Sequence, residues 1–241
     1  MQVVALQSME EVYVLKARIK FRKYGAMKFI GHLDIMRFFQ KVMRRADIPI
    51  AFSGGFSPHM IMSFANPLGV GVTSDGEYFD IELAEEIDMN AAVERMNQVM
   101  VEGMEIVNMV PISDEKKRTG MTIVAAADYL STLRKGSFPE DWKEKALEFI
   151  AQDTICIVKK TKKSEKEVDI KPMIYKFGVQ EDSVYMMVAT GSVENLKPEL
   201  VMQAFSQYLG IDPESVSFAH HRLDVYADEG NKEFVSLDKV W

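Results

Sequence analysis

Ten residues near the start, VYVLKARIKF from Val12 to Phe21, alternate strictly. Val12, Val14, Lys16, Arg18 and Lys20 take one side and Tyr13, Leu15, Ala17, Ile19 and Phe21 the other, which predicts a half-buried strand. The period then changes. From Leu33 to Ala46, apolar residues recur at Ile35, Phe38, Phe39, Val42, Met43 and Ala46, leaving Arg37, Lys41, Arg44 and Arg45 for another face. That spacing predicts an amphipathic helix with a basic side, closed by Pro49. A chain that switches so early from period two to period 3.6 is mixed α and β.

The rest repeats the same grammar. A strand is expected near Met60 to Ala65 and another from Glu77 to Leu83; Asp88 caps a helix carrying Met89, Ala92, Val93, Met96, Val99 and Met100. Gly103 stops it, and Glu105 to Ile112 is a further strand. Val12 to Ile112 therefore reads β-α-β-β-α-β. The polar segment Asp114 to Gly120 suits a linker. Beyond it come a strand near Met121 to Leu133, a helix from Glu140 to Gln152, and strands near Thr154 to Lys160, Glu167 to Gln180 and Ser183 to Ala189. A helix from Pro198 to Leu209 and a strand near Ser215 to Tyr226 complete the order. The expected architecture is α+β: two tandem ferredoxin-like halves, 1–112 and 121–228, each with its own antiparallel sheet, joined by 113–120 and followed by a tail at 229–241. Such a fold serves many functions and selects none.

Composition narrows the class. With 241 residues, 47% hydrophobic and 27% charged, the chain has material for a real core and is not disordered. No apolar run is long enough to span a membrane, and Met1 to Glu11 lacks the layout of a secretory signal, so a soluble, cytoplasmic protein with no membrane partner is expected. The single cysteine, Cys156, cannot build a disulfide, a four-cysteine zinc site or an iron–sulfur cluster within the chain. No cofactor bound by this chain and no metal site are expected; the adjacent His220 and His221 point to opposite faces of a strand.

The charge is unevenly distributed. Overall it is −7, yet Met1 to Met62 holds ten Lys and Arg against four Asp and Glu, whereas the remainder holds nineteen against thirty-two. A localised basic surface made of Lys16, Arg18, Lys20, Arg37, Lys41, Arg44 and Arg45 suits phosphate or an acidic partner. At the start of the first helix, His32 and Asp34 with Arg37 and Lys41 can form an anion cradle, or Asp34 simply fills the first turn while His32 tethers the loop.

The turn-rich stretch from Ser53 to His59, with Gly54, Gly55 and Phe56, can turn backbone N–H groups toward a ligand, or can be a connection plugged by a buried Phe56. His32 and His59 could also serve as general acid and base in metal-independent RNA cleavage. The seventeen methionines suit core filling, and Lys159 to Lys166 suits a solvated hairpin tip or a secondary phosphate contact. No P-loop, GxGxxG, GxSxG or CxxxCxxC pattern occurs.

Two strings, KFIGHLDIMRFFQKVMRRADIPIAFSGGFSPH from Lys28 and SFANPLGVGVTSDGEYFDIEL from Ser63, resemble the signature of the radical-SAM-linked family, a domain of unknown function found alone or fused to the C-terminus of B12-binding-type radical SAM proteins. The match spans Gly31, His32, Leu33 and Asp34, then Arg37, Arg44, Arg45 and Pro49, then Ser53, Gly55, Phe56, Pro58 and His59, and finally Pro67, Leu68, Gly69, Ser74 and Glu77. Lys28 departs from the arginine-like start of the pattern, keeping the charge but losing a planar fork. The resemblance implies a radical SAM protein as partner and supplies no reaction. A non-catalytic accessory module that delivers RNA or another phosphate-bearing substrate is the leading expectation; an endoribonuclease-like enzyme and a protein-docking scaffold are its rivals.

Overall fold

The computed structural model describes residues 15–113, 119–160 and 165–240. Its element order is β1 (Leu15–Lys23), α1 (His32–Arg45), β2 (Met62–Phe64), β3 (Thr73–Leu83), α2 (Met89–Gln98) and β4 (Met104–Ile112). Then follow a single turn, α3 (Gly120–Ile123), β5 (Val124–Lys135), α4 (Trp142–Ala151) and the hairpin β6 (Cys156–Lys160) with β7 (Glu165–Asp169). β8 (Ile174–Gln180), β9 (Ser183–Ala189), α5 (Pro198–Tyr208), β10 (Ser217–Asp228) and β11 (Phe234–Ser236) end the chain. The first residues of the expected first strand, most of the linker and the middle of the lysine run lie outside the described residues.

The molecule is α+β, built on a large, mostly antiparallel sheet with few helices. Nine strands join in the order β4-β1-β3-β10-β5-β9-β8, with β2 on β3 and β11 on β10. Where the sequence suggested one sheet per half, the sheet continues across the boundary. The bridge is a short parallel pairing of Thr73 and Ser74 on β3 with His221 and Arg222 on β10. β2 occupies the other end of that same edge, opposite Phe79 to Ile81. β3 reaches β10 because it begins four residues before the expected strand, and Gly76 lets the strands meet: a Cβ there would lie 2.4 Å from Oδ1 and 2.8 Å from Cα of Asp224.

Strand parity sorts the two faces. Ala17, Ile19 and Phe21 of β1 and Phe79 and Ile81 of β3 are buried under α1 and α2. Phe21, Phe39, Phe64 and Phe79 form a ring cluster with centroids 4.6–6.1 Å apart. Each such side chain contributes roughly 1.5–3 kcal/mol through burial. A second core under α4 and α5 gathers Phe149, Val201, Met202 and Phe205 against Val184, Met186 and Val188.

The expected tail is structural. β11 pairs with β10, and Leu237, fully buried, enters the second core while its carbonyl accepts from Arg18 Nη1 at 2.9 Å. One expected strand, Glu167 to Gln180, is two. A 3₁₀ turn at Lys171–Met173, with Pro172 lacking an N–H donor, separates β7 from β8.

Candidate functional site

The basic residues of the first half divide into two sets. On β1 they are consumed by the fold: Lys16 pairs with Glu82 at 3.6 Å, Lys20 with Asp224 at 2.7 Å, and Arg18 with Asp80 at 2.8 Å through Nε and 3.1 Å through Nη2. Arg18 is 1% exposed. These three lie on the sheet face away from the helices, and the expectation that they share a phosphate-binding surface with α1 is overturned. An alternating strand exposes its polar parity only if nothing covers it, and here the 3₁₀ turn Leu237–Lys239 packs on β1.

On α1 the charge stays on the surface. The buried series Ile35, Phe39, Val42 and Met43 turns Arg37, Lys41, Arg44 and Arg45 outward on successive turns. Arg37 donates to Asp34 at 3.2 Å, and Arg44 Nε donates to the Gln40 carbonyl. Asp34 therefore serves the first turn, and its partner is Arg37. His32 turns inward, its ring 5.2 Å from Phe64. Burial and the charge of Lys23 push its imidazole below the ordinary value.

The glycine-rich loop is a projecting hairpin tip. Phe52 bridges Met60, Ser53 Oγ and His59 Nδ1 lie 2.8 Å apart, and the His59 N–H donates to the same hydroxyl. Gly55 takes φ +97°, a conformation that favours glycine. Phe56 is fully exposed, so it plugs nothing. His59 lines a cavity with Lys16, Asp80 and Thr119, whereas His32 lines another with Phe21, Phe64 and Glu77. The two histidines sit on opposite faces of the sheet, and the geometry assembles no acid–base pair from them.

What the structure does gather lies on the helix-bearing face, between α1 and α5, where β3 meets β10. Arg222 Nη1 donates to both oxygens of Glu77 at 3.0 and 3.2 Å and to the Asn66 carbonyl at 2.9 Å, while Nε donates to the Tyr129 hydroxyl at 3.1 Å. Lys23 is buried nearby, with Nζ on the Ile30 carbonyl; desolvation pushes its ammonium down, opposed by Glu77. Burial pushes the Glu77 carboxyl up, against the pull of Arg222, Ser74 and Lys23. The loop from Asn66 to Val72 crosses this cluster and is pinned at its far end by Gly71 N–H on the Lys28 carbonyl. Pro67, Leu68, Gly69, Ser74, Glu77 and His32, scattered in the quoted strings, thus converge here.

Sequence reasoning missed Lys23, Tyr129 and Arg222. A signal existed for two groups of the cluster: Lys23 follows Ala17, Ile19 and Phe21 on the apolar parity of β1, and Glu77 precedes Phe79, Ile81 and Leu83 on that of β3. A charge on a core-facing parity has to be paired inside. Arg222 and Tyr129 give no such local sign.

A family model described as "Uncharacterized protein conserved in bacteria (DUF2344)" matches residues 16–198. The chain belongs to that family. No curated protein matches it. Among solved structures, a chain in "Crystal Structure of a Cbf5-Nop10-Gar1 Complex" is similar at 12% identity and a TM-score of 0.45, over 87% of this chain and 48% of that one. This chain spans about half the length of that structure's chain, and at that score the likeness carries no weight for fold or function. The matched residues contain α1, Lys23, Glu77 and Tyr129, whereas Arg222 lies beyond them. Among the described residues, no group of three or more His, Cys, Asp or Glu is placed to hold a metal, and no helix is long and apolar enough to cross a membrane.

Proposed function

We propose that this family member is a non-catalytic, cytoplasmic substrate-binding module that works beside a radical SAM enzyme and takes RNA or another phosphate-bearing substrate along α1. The observation that carries the reading is the exposed row Arg37, Lys41, Arg44 and Arg45, which keeps its charge at the surface while the basic residues of β1 are spent on internal pairs. A row of cations on one helix face neutralises a phosphate backbone without reading bases. Two ferredoxin-like halves belong to the same reading. Its support is the strand order β4-β1-β3-β2 in the first half and β10-β5-β9-β8 in the second, each with two helices between its strands. The radical SAM partner rests on the resemblance of the quoted strings.

Mild crosslinking in cells, followed by sequencing of bound RNA and identification of bound proteins, tests the whole reading. An RNA species lost with Arg44→Glu/Arg45→Glu, recovered with a radical SAM protein, is the expected result. Recovery of neither overturns it.

Protein docking has its own observation. Phe29 (63% exposed), Leu33 (67%) and Val70 (64%) stand out from adjoining segments, because the Lys28 carbonyl accepts from the Gly71 N–H at 2.8 Å. Large apolar side chains grouped in this way suit a protein partner. If Leu33→Asp releases the radical SAM protein while RNA stays bound, the two contacts are separate.

A further inference from the structure

The seam between α1 and α5 holds donors that the fold leaves unused. Arg222 is 4% exposed and commits Nε to Tyr129 and Nη1 to Glu77 and Asn66; among the described residues nothing accepts from its Nη2. That nitrogen is not sealed in, since the sealed and unpartnered side-chain nitrogens of the described residues are Arg22 Nε and Arg95 Nε. Arg222 and Tyr129 line a cavity of about 280 Å³. Tyr129, also 4% exposed, accepts from Arg222, and its own hydroxyl proton has no acceptor among the described residues.

The opposite wall of the cavity is the start of α5. Lys197, Pro198 and Glu199 line it, and the cap residue Lys197 makes no side-chain hydrogen bond to the helix. Pro198 has no N–H and the Leu200 N–H donates to the Lys197 carbonyl at 3.1 Å, which leaves the Glu199 N–H as the first turn's free donor at the positive pole of the helix. The charge balance has the same sign: Lys23 and Arg222, both buried, face one buried carboxylate, Glu77. Glu199 alone opposes it, from the exposed rim. Donors from both halves of the chain and a surplus cation suit a ligand that only accepts, and a guanidinium edge, a hydroxyl and one backbone N–H together match the several oxygens of a phosphoryl group.

A second cavity, of about 580 Å³, shares Val72 and Glu199 with the first and is lined by Phe218, His220 and Arg134. Phe218 offers a ring face and Arg134 a guanidinium plane, both suited to a planar organic group.

We propose that the seam is a binding site for a phosphate monoester. Its phosphoryl group is held by Arg222 Nη2, the Tyr129 hydroxyl and the Glu199 N–H, and its organic part lies in the adjoining cavity. The site goes beyond docking along α1 and does not depend on it.

Calorimetric titration of the full chain with adenosine 5′-monophosphate, adenosine and inorganic phosphate tests the proposal. The nucleotide is expected to bind, with adenosine at least about tenfold weaker. Lys197→Glu weakens nucleotide binding and Glu199→Gln strengthens it; both positions are exposed, so neither change threatens the fold. Arg44→Glu/Arg45→Glu leaves it unchanged, which separates this site from the α1 surface. Inorganic phosphate bound as tightly as the nucleotide overturns the placement of the organic part. No binding of nucleotide or phosphate at millimolar concentration, adenosine binding as well as the nucleotide, or indifference to both α5 variants overturns the site itself.

Discussion

Arg222 on β10 and Glu77 on β3 form a buried ion pair, Nη1 to both carboxylate oxygens at 3.0 and 3.2 Å, at the point where the sheet passes from one half of the chain to the other. Both residues are 4% exposed. Removing one partner leaves the other charge uncompensated in a medium that solvates it poorly. Glu77→Gln is expected to cost about 3–5 kcal/mol of stability, read by urea unfolding. Glu77→Gln combined with Arg222→Met is expected to recover part of the loss, because the stranded cation is gone.

Gly76 sets how closely β3 and β10 approach. Gly76→Ala places a methyl group against the Asp224 backbone and pushes apart strands whose contact also organises the Asp224 bonds to Lys20, Tyr78 and Ser236. A drop in stability of about 1–3 kcal/mol is expected by thermal unfolding. Gly178→Ala on β8, where a Cβ meets open space, is the control and should leave the midpoint nearly unchanged.

His220 makes stability depend on pH. It is 8% exposed and lies 2.8 Å from Ser131 Oγ; burial pushes its imidazole below the ordinary value, against the pull of Glu199. The unfolded chain takes up a proton near about pH 6.5, where the folded chain resists it, so this contribution is complete above that value and lost as pH falls. His32, shifted in the same direction, adds to the effect. Between about pH 7.5 and 5.5 the urea midpoint of the native chain should fall further than that of His220→Asn.

Leu237 belongs to the core although it stands three residues before the last described residue. Leu237→Ala is expected to cost about 2–5 kcal/mol through the cavity it leaves, measured by chemical unfolding. A cost near zero would return this segment to the status of a loose tail.

Much of the fold was legible because it is written locally. The alternation up to Phe21 and the 3.6 period of α1 each record a single element with one buried face, and α1 and α5 fall within one residue of their expected bounds, while α2 ends at Gln98, short of the expected stop at Gly103. The merged strand from Glu167 to Gln180 hid a turn that Pro172 marked. The seam was not legible. Arg18 finds Asp80 across 62 residues and Leu237 across 219, and Arg222 finds Glu77 across 145. No window contains both partners, so a basic residue that will be buried in a pair looks the same as one that will face solvent. Of the candidate site, the quoted strings carried Glu77, Ser74 and the 67–69 turn, but Tyr129 and Arg222 come from the other half.

In the proposed function, α1 carries the phosphate-binding surface and β1 does not. Fluorescence anisotropy of a labelled single-stranded RNA over a series of salt concentrations tests it most directly. Arg44→Glu/Arg45→Glu is expected to weaken binding and to lower the slope of log affinity against log salt by at least about 1.4, two phosphate contacts' worth, whereas Lys16→Gln leaves the slope unchanged. An unchanged slope in the α1 variant, or the same loss in both, would contradict the account.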